Sequence, residues 1–357
     1  MGTHTNSTTL RIGLIGAGRI AGTHAAAYAN ISGVKLAGVW DADFSRAQAF
    51  GARFGAPACK SRDELFALAD VIDICLPTPF HVENIVAAAG AKKPVICEKP
   101  LGRNVAQCDE AIAACERAGV PLLVGHVLRF FPEYAALREI ITSGQIGEPA
   151  VLRLRRVVCS PGAARDWYWN LEASGGCVFD TAIHDLDWLL WTLGRPKTVF
   201  GLGQSDASKM RDFALLTLSW PNGVLAHLES SWCHDRFATS FEVTGSEGLV
   251  ECDMDDATPI RVVPLGGGGG TAGQVVPESP LAKSPYQAEL EHFVDVIRGR
   301  AEAIITPAEA RDAVELAELC LRAVKQREAL ELPKGKGAAK VAKTKKKLAA
   351  LPAAHPE

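Results

Sequence analysis

The sequence predicts an α/β protein in two parts, a parallel sheet wrapped by helices followed by a strand-rich half. Three observations carry this. Residues 11 to 125 alternate short apolar runs with helical patterns. From residue 150 onward, apolar runs follow one another with turn residues between them. With 357 residues, 48% of them hydrophobic, the chain is long enough for two substantial cores.

The bulk numbers exclude several classes of function. A formal charge of -3 offers no broad field for nucleic acid or a membrane surface. No apolar run approaches the roughly 18 to 20 residues of a membrane-spanning helix. The ten cysteines form no C-x-x-C pair, and no secretory leader is read before them, so they are expected to be reduced thiols in a cytoplasmic protein. Cys75 and Cys97 sit inside apolar runs and read as small core residues. The polar start (1–9) and the lysine-rich end (333–357) are expected to be disordered tails, and Gly266 to Gly270 a flexible loop. The expected domains span residues 10–126 and 127–330.

In the first domain the strand RIGLIG runs into the turn GAGRIA, where Gly16 permits a tight bend and Gly18 lets backbone N–H groups approach a pyrophosphate. Ala21 takes the third small position, and Arg19 and Ile20 lie within the turn. This is a dinucleotide-binding fingerprint of Rossmann type, because it follows a strand and opens a helix. The next strand, VKLAGVW, delivers Asp41, placed to accept ribose hydroxyls and repel a 2'-phosphate, which favours NAD over NADP. Arg46 could offset that preference, and capping of the next helix is the alternative use of Asp41. VIDIC leads to LPTPFH, which sets Leu76, Pro77, Thr78 and His81 at the sheet's ligand edge; a satisfied helix-start residue is the rival reading of His81. PVICEKP then delivers Glu98 and Lys99, with Pro100 fixing the chain's exit. His126 and Arg129, at the junction of the halves, are candidate cofactor or substrate contacts, with an interdomain ion pair as the alternative for Arg129.

The second domain opens with a helix over PEYAALREI. Strands follow in AVLRLRRVV, KTVFGLG, FALLTLSW, GVLAHLESSW, ATSFEVTG, LVECD and IRVVPL, with hairpin turns at Pro221-Asn222-Gly223 and Ser246-Glu247-Gly248. Helices would cover one face of such a sheet and a partner subunit the other, so a homodimer or homotetramer is expected. RDWYWN offers Trp167 as an apolar platform for a sugar face, with Arg165, Asp166 and Asn170 for hydroxyls; core or interface packing is the other reading of its aromatics. In GGCVFDTAIHDLDWLLW, Asp180, His184 and Asp187 share one helical arc. Alone, that arc reads as a solvated polar face, a metal site or a proton-transfer pair. The last helix, TPAEARDAVELAELCLRAVKQREA, begins with a capping box at Thr306 and Glu309 and reads as structural.

Taken in order, GAGRIA, LPTPFH, CEKP, GHVLRFFPEY and GGCVFDTAIHDLD resemble the Gfo/Idh/MocA oxidoreductases, from about residue 10 to residue 330. The resemblance implies a nicotinamide-binding Rossmann domain followed by an α+β domain with a large open-faced mixed, mostly antiparallel sheet. It also implies hydride exchange with a sugar or cyclitol. Lys99 matches the family's E-K-P lysine, and Asp180 and His184 its D-x-x-x-H pair; Ala182 stands where relatives often carry glycine. By this resemblance TAIHDLD looks closer to the inositol dehydrogenase branch than to many others, and relatives with that sequence act on varied sugars, so the substrate is not named.

Oxidation of a secondary alcohol needs a hydride acceptor, a base, and positive charge near the developing alkoxide. NAD supplies the first. His184 suits the second with Asp180 as its orienting partner, and Lys99 suits the third as electrostatic stabiliser and proton relay. Asp187 is expected to be structural, and no metal is needed, since hydride transfer requires none. The alternatives are an aldose-aldose oxidoreductase with tightly held cofactor, an NAD-dependent glycoside-cleaving enzyme, and a noncatalytic NAD-binding sensor.

Overall fold

The structure is a computed structural model that describes residues 9–161, 166–254, 260–264, 274–276 and 283–333. The expected tails, apart from Thr9 and Pro333, the glycine run 266–270 and Arg165 lie outside the described residues.

The first sheet contains β1 (Leu10–Ile15), β2 (Val34–Trp40), β3 (Val71–Ile74), β4 (Val95–Glu98) and β5 (Leu122–Gly125), all parallel in the order β2-β1-β3-β4-β5. Every residue of β3, β4 and β5 is buried, which is why their sequences are continuous apolar runs instead of alternating ones. Five helices accompany them: α1 (Arg19–Tyr28), α2 (Phe44–Phe54), α3 (Arg62–Leu68), α4 (His81–Gly90) and α5 (Val105–Ala118). Helix α3 was not expected, although its start is readable: Ser61 accepts from Glu64 N–H while Glu64 accepts from Lys60 N–H.

The second sheet contains β6 (Pro149–Cys159), β7 (Thr198–Asp206), β8 (Arg211–Ser219), β9 (Leu225–His234), β10 (Ala238–Gly245), β11 (Gly248–Asp253), β12 (Ile260–Pro264), β13 (Gln274–Val276) and β14 (Leu330–Glu331). Their order is β13-β12-β11-β10-β6-β9-β8-β7-β14, antiparallel throughout except for the parallel pair β6 and β9. The two shortest strands, β13 and β14, were not expected. Helices α6 (Pro132–Thr142), α7 (Asp166–Trp169), α8 (Leu171–Ser174), α9 (Ile183–Leu193), α10 (Pro285–Ile297) and α11 (Pro307–Gln326) complete the chain.

The expectation missed α10, despite Ser284 capping Gln287 N–H and Pro285 at the first helical position. This helix packs against α1, where Arg298 Nη2 donates to Gly33 O at 2.7 Å. Helix α11 spans both units: it packs on α5 and on β7, and Arg311 Nε reaches Asp109 Oδ1 at 2.7 Å. The carboxyl ends of β1, β3, β4 and β5 therefore open towards a cleft whose far wall belongs to the second sheet and α9. No helix among the described residues is long and apolar enough to cross a membrane.

Candidate active site

The cradle at the end of β1 depends on what its glycines leave free. Gly16 adopts φ +101°, and a Cβ there would meet Cys75 O at 2.6 Å. A Cβ on Gly18 would meet only Arg46 Nη2, at 4.0 Å. Gly18 caps α1 without a side-chain hydrogen bond, and the first turn carries no acidic residue. The N-terminal N–H groups of α1 are thus approachable by an anion, as a pyrophosphate requires. Asp41 is buried; its Oδ2 accepts from Ala17 N–H at 2.8 Å and its Oδ1 from Asp43 N–H at 3.0 Å. Capping of α2 falls to Asp43, which accepts from Ser45 N–H, so Asp41 is not that cap. Gly16, Gly18, Arg19, Ile20, Asp41, Arg46, Leu76 and Pro77 line one cleft of about 670 Å³ that reaches Trp167 and Tyr168.

That cleft shares Arg19, Ile20, Leu76, Trp167 and Tyr168 with a second chamber of about 270 Å³, lined by Thr78, Glu98, Lys99, Asp180 and His184. Lys99 Nζ donates to Asp180 O at 2.6 Å and lies 3.3 Å from Asp180 Oδ1. The expected pairing of Asp180 with His184 is therefore replaced by a pairing with Lys99. The cause is local: Val178–Ala182 form a π-helical turn, which breaks the 3.6-residue phase assumed for the arc before α9 begins. His184 stands alone, its Nδ1 sealed in the interior without a protein partner. Burial above all, then the charges of Lys99 and Arg156, hold its pKa well below 6.5. At neutral pH the ring is therefore uncharged, the form that can accept a proton.

Other expected site residues are committed elsewhere. His81 is fully buried between two backbone carbonyls, with Nδ1 2.7 Å from Pro100 O and Nε2 2.8 Å from Leu76 O, so it clamps the two strand-end loops and has no ring atom left for a cofactor. Arg129 makes a paired contact to Asp187 (Nε to Oδ2 2.9 Å, Nη2 to Oδ1 2.7 Å), and its Nη1 donates to Ile304 O at 2.9 Å. Arg129 is thus held in an ion pair, but one within the expected second domain and not the interdomain pair weighed as its alternative, and Asp187 is structural with it. His126 is wholly buried, 3.8 Å from Asp187, and lines neither chamber. Asn170 faces away and caps α8 by accepting from Ala173 N–H. The solvated-face reading of α9 also fails, because Asp185 and Asp187 are both fully buried against arginines.

Among the lining residues that escaped the sequence reading are Arg156 and Tyr286. Arg156 is buried at the chamber wall with Nε 2.6 Å from Asp185 Oδ2 and Nη2 2.9 Å from Tyr134 OH. Its signal was available: with Leu152 and Leu154 it falls on the inward side of β6, where a charge demands a partner. Tyr286 comes from α10, and burial first, then Glu98, pushes its phenol up to about 12.

The description "Oxidoreductase family, NAD-binding Rossmann fold" matches residues 10–126, and the GFO/IDH/MocA C-terminal domain matches residues 134–251. The chain is 29% identical to 1,5-anhydro-D-fructose reductase of Ensifer adhaerens over 83% of this chain and 90% of that protein. It is 27% identical to myo-inositol 2-dehydrogenase of Thermotoga maritima over 90% and 98% respectively. A crystal structure assigned to a myo-inositol dehydrogenase of Sinorhizobium meliloti 1021 superposes with a TM-score of 0.76 at 26% identity, covering 91% of this chain and all of that one.

Proposed function

The chain belongs to the Gfo/Idh/MocA family of oxidoreductases, and from that premise we propose that it oxidises a secondary hydroxyl of a sugar or cyclitol, inositol-like in size, with NAD preferred to NADP. The observation that carries this reading is the convergence of Lys99, Asp180 and His184 on the chamber that continues the dinucleotide cleft. The names of two relatives, one acting on an anhydro sugar and one on inositol, support the substrate class and leave the individual substrate open.

Bound at the glycine turn, a nicotinamide supplies the hydride acceptor. The chain's own residues do the rest. His184, neutral at the chamber wall, takes the hydroxyl proton. Lys99, fixed by the Asp180 carbonyl and carboxylate, directs its ammonium at the oxygen that gains negative charge and relays its proton. Trp167 and Tyr168, where the two spaces meet, shield the reacting atoms from water. Asp41 supports NAD by placing a carboxylate where a 2'-phosphate would lie.

The same reading includes a homodimer or homotetramer formed through the open face of the second sheet, where Phe200, Leu202 and Leu215 are exposed together along an open groove of about 780 Å³. It places the protein in the cytoplasm. The test is NADH formation across inositols, aldoses and sugar acids, with Lys99→Ala and His184→Ala beside the unaltered protein. Each variant should lose about 10²- to 10⁴-fold in kcat while NAD binding persists. The unaltered enzyme's acid limb should lie well below pH 6.5. Full activity in both variants would remove the assigned roles.

A further inference from the structure

Beneath the reaction chamber, α1, β3 and β4 enclose a set of ionisable side chains that the proton-transfer steps do not use. His24, from α1, has Nδ1 2.8 Å from Asp73 Oδ2 and Nε2 3.0 Å from Glu98 Oε1. Tyr28 donates to the same Asp73 oxygen at 2.9 Å, and the backbone N–H of Lys99 donates to Glu98 Oε2 at 3.2 Å. Cys75 Sγ lies 3.4 Å from His24 Nδ1 and 3.6 Å from Asp73 Oδ1. Asp73 is 0% exposed and His24 1%, whereas Glu98 is 7% exposed and lines the chamber. Helix α10 closes the set from outside with the Tyr286 ring, 6.2 Å from that of His24, and with the fully buried Glu289.

The geometry determines the charge. Both ring nitrogens of His24 face carboxylate oxygens, and an imidazole donates from both only as a cation. One cation therefore stands between two carboxylates, leaving a net charge of about minus one at the carboxyl ends of β3 and β4. Burial opposes the charge on His24, but the Asp73 carboxylate at its Nδ1 outweighs it and its pKa stands well above 6.5. Glu289 adds nothing to the sum, because burial and then Glu98 keep its carboxyl protonated. The ligand atoms of His24, Asp73 and Cys75 also lie within 4.8 Å of one another, close enough for a metal ion. Binding one would release a proton from a thiol whose pKa is pushed up to about 12 by burial, and another from the imidazolium.

We propose that this buried charge cluster, acting through Glu98 at its chamber end, makes the site favour the oxidised, cationic nicotinamide over the reduced, neutral one. The inference rests on the assignment of the chamber to the nicotinamide. Glu98 would then act by its charge, and His24 and Asp73 as positioning residues that hold its carboxylate at the chamber end of the cluster. A unit charge beside the ring at an effective dielectric of about 20 is enough to change the ratio of two affinities by about tenfold.

The test is equilibrium titration of the purified full-length protein with NAD and with NADH, separately and without substrate. Glu98→Gln should shift the ratio of the two dissociation constants about tenfold towards NADH. Asp73→Asn, which changes the cluster's charge without facing the chamber, should shift it the same way by less, and carries the test if Glu98→Gln does not fold. Equal weakening of both nucleotides in the variants, or an unchanged ratio, overturns the proposal and leaves the cofactor assignment standing. Failure of the unaltered protein to bind either nucleotide overturns both.

Discussion

Replacing Glu289 with glutamine should stabilise the protein, and the gain should grow with pH. Glu289 is fully buried and neither carboxylate oxygen has a protein partner. Burial first, then the neighbouring charge of Glu98, raises its pKa well above the usual 4.5, with His24 opposing and Asp73 and Asp187 adding to the rise. In the folded chain it therefore keeps its proton at pH values where the unfolded chain has released it. A raised pKa contributes stability that is fully present below the unfolded value and is lost as pH rises towards the folded one. Each pH unit in that window costs about 1.4 kcal/mol, so between pH 5 and pH 7 the native protein loses up to about 2.7 kcal/mol through this group. Glutamine has the same shape and no proton to lose. Urea unfolding followed by tryptophan fluorescence at both pH values measures the difference between variant and parent. That difference should move in the variant's favour on going from pH 5 to pH 7, by up to about 2.7 kcal/mol. A difference that is the same at both pH values would show that Glu289 is ionised in the fold and refute the reasoning.

Two further expectations concern the cofactor and the assembly. Asp41→Ser removes the carboxylate from the glycine turn while keeping a hydrogen-bonding group, and should bring NADP binding to within about tenfold of NAD binding in parallel titrations; an unaltered protein that already prefers NADP would contradict the role given to Asp41. Leu215→Glu puts a charge on the most exposed apolar side chain of the open sheet face. Sedimentation should show that variant as smaller than the parent species, with the circular dichroism spectrum unchanged, and an unaltered sedimentation coefficient would place the contact elsewhere.

The cradle was legible because its determinants are local. A strand, a glycine turn and a helix lie within 20 residues of sequence, and Gly16 owes its conformation to neighbours that any such unit supplies. The seven strands read from the second half were legible for the same reason, since alternation and turn residues are written within each hairpin. What failed was long-range. Arg129 and Arg156 meet Asp187 and Asp185 from 58 and 29 residues away, and nothing in a helical wheel announces an arginine arriving from another element. The same is true of His81, whose two carbonyl partners belong to different loops. Asp180 was misplaced for a subtler reason, since the phase of the helix slips at the π-helical turn.

The buried arginines bear on chemistry as well as on packing. Arg156 is neutralised at short range by Asp185, yet its field still reaches His184, as does that of Lys99. Two cations and a poorly solvated chamber all disfavour a proton on that ring. A base in such a place pulls weakly on a neutral hydroxyl and cannot start the reaction by itself. Under the proposed assignment it becomes effective once the hydroxyl is polarised, a part given to the ammonium of Lys99, which is held at Asp180 on the same wall. The same assignment gives the depressed basicity a use at the end of the cycle, because a proton that sits badly on His184 leaves quickly. Under the proposed assignment the lysine and the histidine are therefore one device: removing Lys99 would raise the basicity of His184 and still slow the reaction, since the stronger base would face an unpolarised alcohol.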